Sequence, residues 1–216
     1  MMLKMKGSNY YIEEFKKTRA VSQKYFSTGP TTIVDETFIG VGVPKKIVWE
    51  DDSIRGIFFS EGRVAALSFA DADIPGGLVW QGVKTQEEDL CRSSNLYEYL
   101  IKEEIPFYNN HRPGGFKAMI HKDVTFFRDS NLQWLPPDKI KKCDIISCPA
   151  QIYPSTLELE TKKRMRCILW LAADADVLVL GRWGCGAFGN DWEVFKKWWD
   201  EVIEEERLMA EVDKIF

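Results

Sequence analysis

Val64-Ala65-Ala66-Leu67-Ser68-Phe69-Ala70 is a run of about strand length in which only Ser68 is polar, and a segment so continuously apolar suits a strand covered on both faces. Asp73-Ile74-Pro75-Gly76-Gly77 follows as a turn. The polar stretch from Gln86 to Tyr99 then spaces Leu90, Ser94 and Tyr97, with Leu100 after it, at helical intervals. A strand thus leads through a glycine loop into a helix.

Outward from this unit the alternation repeats. Downstream, Val124-Thr125-Phe126-Phe127 and Asp144-Ile145-Ile146-Ser147 read as strands, Glu158–Ala173 as a helix and Val177-Leu178-Val179-Leu180 as a further strand. A tail from Asp191 to Phe216 sets Phe195, Trp198, Val202, Met209, Val212 and Phe216 opposite Glu204-Glu205-Glu206 as an amphipathic helix. Upstream, Thr31–Val34 and Phe38–Val43 are β-type runs. Tyr11, Phe15, Val21 and Tyr25 mark a helical arm that Gly29-Pro30 stops. Alternating strands and helices give an α/β class. The expected organisation is an arm over residues 1–30 and one domain over 31–216, with a loop from Pro106 to Lys122 of lid length.

The chain has 216 residues, 45% hydrophobic and 29% charged, enough for a packed core and against disorder. A net charge of −4 excludes a global positive field, so bulk nucleic-acid binding is not expected. Five cysteines with no C-x-x-C pair read as reduced thiols, which points to a cytoplasmic setting. No apolar run is long enough for a signal peptide or a membrane span.

Two constellations carry chemistry. In the first, Gly76-Gly77-Leu78 precedes Gln86-Glu87-Glu88; paired glycines let backbone approach a ligand, although acids at a helix start also serve the peptide dipoles alone. The second is Gly184-Cys185-Gly186-Ala187-Phe188-Gly189-Asn190 between a strand and the closing helix. It has the form G-x-G-x-x-G, but no later strand with an acid follows, so the dinucleotide fold fails on length. A diphosphate cradle and a structural turn both stay open.

Together, Val64–Leu78, Gln86–Leu96 and Leu180–Asn190, with Asp123–Asp129 and Asp144–Ala150 in the same order, resemble the microbial-type poly(ADP-ribose) glycohydrolase catalytic domain. The resemblance implies a macrodomain-like three-layer α/β/α fold with a mixed central sheet. It further implies an ADP-ribosyl glycohydrolase cleaving the O-glycosidic bond of (poly)ADP-ribose, with no metal or cofactor. Glu88 would be the catalytic acid and base, Glu87 would hold ribose hydroxyls, and Gln86 would set the loop. Ser68, Ala70, Gly76, Gly77 and Leu78 would line the site. Gly184, Cys185, Gly186, Ala187, Phe188, Gly189 and Asn190 would wrap the diphosphate, with Phe188 against the terminal ribose. Leu78 stands where the family has a third glycine, which strains the chain if positive φ is needed there, and Ser68 stands where asparagine is common. The implied partner is ADP-ribose or an ADP-ribosylated macromolecule; the sequence does not decide the oligomeric state.

The chemistry fits. Oxocarbenium character at C1″ calls for an acid for the departing oxygen and a base for water, roles that one carboxyl can take in turn. Adjacent helical residues point about 100° apart, so Glu87 and Glu88 should have distinct roles. His111 and His121 lack partners at metal spacing, and Cys185 reads as a packing residue. Trp192, Trp198 and Trp199 read as core, Trp80 as a possible substrate contact, and Tyr108 and Phe116 as candidates for an adenine platform. The alternatives to a hydrolase are a non-catalytic ADP-ribose-binding macrodomain and a pure interaction module.

Overall fold

A computed structural model of the chain describes residues 7–103, 107–108, 115–151 and 158–212. Among the described residues six strands form one mixed sheet: β1 (Thr31–Asp35), β2 (Lys46–Trp49), β3 (Val64–Ser68), β4 (Lys117–Phe126), β5 (Lys141–Ser147) and β6 (Val177–Leu180), in the order β1-β4-β5-β3-β6-β2. Strands β5, β3, β6 and β2 run parallel, while β4 is antiparallel to both β1 and β5. The decisive run is β3, fully buried at the centre of the sheet.

Helices cover both faces. Leu67, Ile146, Leu178 and Leu180 point to one side and meet α5 (Glu158–Leu171) and α6 (Trp192–Val212), where Trp198 and Trp199 are buried as expected. Val64, Ala66, Ile145 and Val179 point to the other and meet α1 (Ser8–Tyr25), α2 (Ser53–Phe59), α3 (Gln86–Ser93) and α4 (Leu96–Leu100). The strand period of two thus feeds two apolar cores, which is the three-layer α/β/α arrangement. No described helix is long and apolar enough to cross a membrane.

Several expectations change. Phe38–Val43 is not a strand: Gly42 has φ +93, and a Cβ on Gly40 would stand 2.7 Å from that of Trp170, so the segment lies irregularly against α5. Residues 117–122 of the expected lid loop belong to β4, and His121 is fully buried there, its Nδ1 3.0 Å from Thr31 Oγ1. His111 and residues 109–114 lie outside the described residues. The helix from Gln86 breaks at Ser94, which bridges Phe126, giving α3 and α4. The N-terminal helix is docked on the domain: Phe15 is fully buried, and buried Arg128 donates to Glu14 and Thr18 on that helix.

Candidate active site

Adjacent parallel strands deliver their following loops to the same edge of a sheet, where open α/β folds hold ligands. Strands β3 and β6 are such neighbours, and Phe69 at the end of β3 lies against Gly181 at the end of β6. The two glycine segments therefore leave the sheet side by side.

After β3, the Asp71 carboxylate accepts the amides of Asp73 (2.7 Å) and Ile74 (2.9 Å) and starts the turn. Gly77 N–H then donates to Ile74 O at 2.9 Å, with Gly76 at φ +70 behind Pro75, the pattern of a type II turn. Gly77 also has positive φ (+57), and a Cβ there would lie 2.6 Å from Glu88 Oε1, so a side chain would displace the carboxylate. Leu78 sits at φ −97, so the missing third glycine brings no backbone strain. It is half-buried, and its amide donates to Glu88 Oε1 at 3.0 Å.

The three residues that open α3 diverge as helical geometry requires. Gln86 clips the end of β3: its Oε1 accepts the Phe69 amide (2.8 Å), and its Nε2 donates to Leu67 O (2.7 Å) and Ser53 Oγ (3.0 Å). Glu87 Oε2 accepts the Asp71 amide at 2.8 Å, while Oε1 is buried with no partner among the described residues. Burial pushes the Glu87 carboxyl well above its usual range; the Asp71 amide and, more weakly, the Gly76 amide pull the other way, and the neighbouring Glu88 charge adds to the rise. Glu88 has both oxygens engaged, Oε1 by Leu78 and Oε2 by the Thr85 hydroxyl. Both acids are nearly buried, at 3% and 4% exposure. Arg92, fully buried one turn on, ties α3 to the loop before it through Val83 O, to Asp89 (3.1 Å) and to Tyr11 O of α1 (3.3 Å).

After β6, the loop closes on itself. Gly184 has φ +75, and Asn190 Nδ2 donates to Gly184 O (2.8 Å) and Gln151 O (2.9 Å), so this asparagine fastens the loop. Gly186 and Gly189 have open space where a side chain would be. Among the described residues, the amides of Gly186, Ala187 and Phe188 take no backbone acceptor. Such a run of free N–H groups is suited to phosphate oxygens. Phe188 is half-buried beside the α5 and α6 core. Burial pushes the Cys185 thiol up to about 11, consistent with a packing role. A cleft of about 260 Å³ adjoins the loop, lined by Trp49, Glu50, Asp51, Gly181, Arg182 and Trp192.

Ser68, Ala70 and Tyr108 border this edge of the sheet: burial first, and then the nearby Glu87 and Asp71 charges, push the Tyr108 hydroxyl well above its usual range. Ser68 and Ala70 are fully buried, the Ser68 hydroxyl without a partner among the described residues. Tyr108 and Phe116 are buried in the cores on opposite faces of the sheet, so they form no shared platform. Trp80 turns toward α1, donating to Tyr97 OH (2.8 Å) and meeting the Phe15 ring edge-on. Thr85 and Asp71 escaped the sequence reading; the Thr-x-x-Glu and Asp-x-Asp spacings were the available signals.

Residues 4–129 match the family described as microbial-type PARG, catalytic domain. No curated protein matches the chain. Among solved structures, poly(ADP-ribose) glycohydrolase from Thermomonospora curvata, bound to the inhibitor ADP-HPD, is 21% identical. The match covers 90% of this chain and 85% of that one, with a TM-score of 0.67. Poly(ADP-ribose) glycohydrolase from Deinococcus radiodurans, in complex with ADP-ribose, is 28% identical, with 92% and 79% covered and a TM-score of 0.64.

Proposed function

This chain belongs to the microbial-type poly(ADP-ribose) glycohydrolase catalytic-domain family, and from that membership we propose that it hydrolyses the O-glycosidic bond of ADP-ribose units through Glu88. In this reading Glu88 gives its proton to the departing oxygen, and the carboxylate left behind takes a proton from the water that adds to C1″. Glu87, with one oxygen buried and without a hydrogen bond among the described residues, meets a ribose hydroxyl; a buried oxygen so placed has capacity left for a ligand donor. The free amides of Gly186, Ala187 and Phe188 take the diphosphate, and the open cleft that Trp49 and Trp192 line beside Gly181 and Arg182 takes the base.

The observation that carries the reading is the convergence of both carboxylates on Gly77, inside a turn at the carboxyl end of β3 and beside the loop that follows β6. A turn serving only to cap α3 would not need a bare glycine against two acids. The test is ADP-ribose release from ADP-ribosylated protein by wild type and Glu88→Gln, with ADP-ribose binding followed by calorimetry. Release should fall by about 10²-fold or more while binding persists. Wild-type release by Glu88→Gln overturns the assignment, and ADP-ribose binding without release by the wild type establishes the non-catalytic reader.

A further inference from the structure

We propose that Thr85 is a positioning residue for this hydrolase, its hydroxyl fixing the Glu88 carboxylate against the glycine turn; the proposal rests on the reading that Glu88 carries the chemistry. Thr85 is the N-cap of α3 and stands three residues before Glu88, the spacing of a capping box. In that motif the threonine hydroxyl accepts a helix amide. Here it makes no such bond and instead donates to Glu88 Oε2. A hydroxyl taken from the role its position favours, at the expense of the helix, marks a local rule broken for a site.

The consequence is a two-sided hold. Glu88 Oε1 is gripped by the Leu78 amide at 3.0 Å and Oε2 by Thr85, from opposite ends of the same loop. A glutamate has three side-chain torsions, so a single donor leaves the carboxyl free to swing, whereas two donors on different oxygens fix its plane. The contact at Gly77 shows how little space the carboxyl has to move toward the turn. Thr85 itself is exposed, so truncating it opens no cavity in the core.

The experiment compares Thr85→Ala, Thr85→Val and Thr85→Ser in the full chain, measuring kcat and KM for release from ADP-ribosylated protein, ADP-ribose affinity, and Tm. Loss of the hydrogen bond that fixes the carboxyl predicts a fall in kcat of about tenfold for Ala and Val. KM and ADP-ribose affinity should stay within about twofold of wild type, and Ser should recover most of the rate. Unchanged kcat in Thr85→Ala overturns the proposal, as does a loss that Ser fails to rescue or one matched by a lower Tm and weaker binding. Glu88→Gln, assayed in parallel, separates the two claims. If it is inactive while Thr85→Ala is not impaired, only the role of Thr85 falls; if it releases ADP-ribose normally, both fall.

Discussion

Gln86, Glu87 and Glu88 are consecutive, yet each side chain ends in a different place: on the end of β3, on the Asp71 amide, and on the glycine turn. The triplet is legible in sequence only together with the second glycine loop, through the resemblance of the two to a known family; alone it reads equally as acids at a helix start. The division of labour is not legible, because it depends on which neighbour lies 100° around the helix. Glu87 has a measurable consequence. Its carboxyl is raised by burial, so the folded state keeps its proton over a range where the unfolded chain, near 4.5, has lost it. That stability is complete below about pH 4.5 and is lost as pH rises toward the folded-state value. Glu87→Gln, a neutral isostere, should therefore melt above wild type at pH 7.5, by about 2–4 °C for each kcal/mol relieved, with the difference gone near pH 4. Thermal melts across that range check it.

Helix α3 starts where the glycine loop ends, and what holds the two in register is Arg92. Its guanidinium spans the loop at Val83, the helix at Asp89 and α1 at Tyr11, with no exposure to solvent. Replacing it by Met leaves Val83 O and the Asp89 carboxylate without their donor. Because the Asp89 side chain keeps 27% of its exposure and can be rehydrated, the loss of these hydrogen bonds should destabilise by about 2–3 kcal/mol, read from urea unfolding. The loop after β6 depends on backbone. Gly184→Ala forces φ +75 on an L-residue and sets its Cβ 2.8 Å from that of Ala150. ADP-ribose affinity should fall at least tenfold in calorimetry, because the Gly186–Phe188 amides lose their arrangement. Elements with strong apolar runs, such as β3 and β6, were readable. Phe38–Val43 was misread because its glycines follow the shape of α5, and β2 was missed because four residues, one of them Lys46, give little pattern.

Across the whole molecule, the sheet sets one acid-sensitive point far from the glycine turns. His121 is fully buried in β4, and burial lowers its pKa to about 3 from 6.5. The native state holds it neutral while the unfolded chain protonates it below pH 6.5, so stability falls as pH drops from 6.5 toward 3. At pH 5 this component amounts to about 2 kcal/mol. Denaturant titrations at pH 7 and pH 5 should show the loss, and His121→Leu should flatten it. The sequence by itself determined the alternation of strand and helix, the two glycine loops and the acids between them, because apolar period and turn chemistry are local properties of the chain. Only the tertiary structure decided that Asn190 fastens its loop, that Tyr108 and Phe116 lie on opposite faces of the sheet, and that Thr85 reaches Glu88. Those outcomes depend on which segments the sheet order brings together and where each side chain finds a partner after burial, and neither is encoded within a short window of sequence.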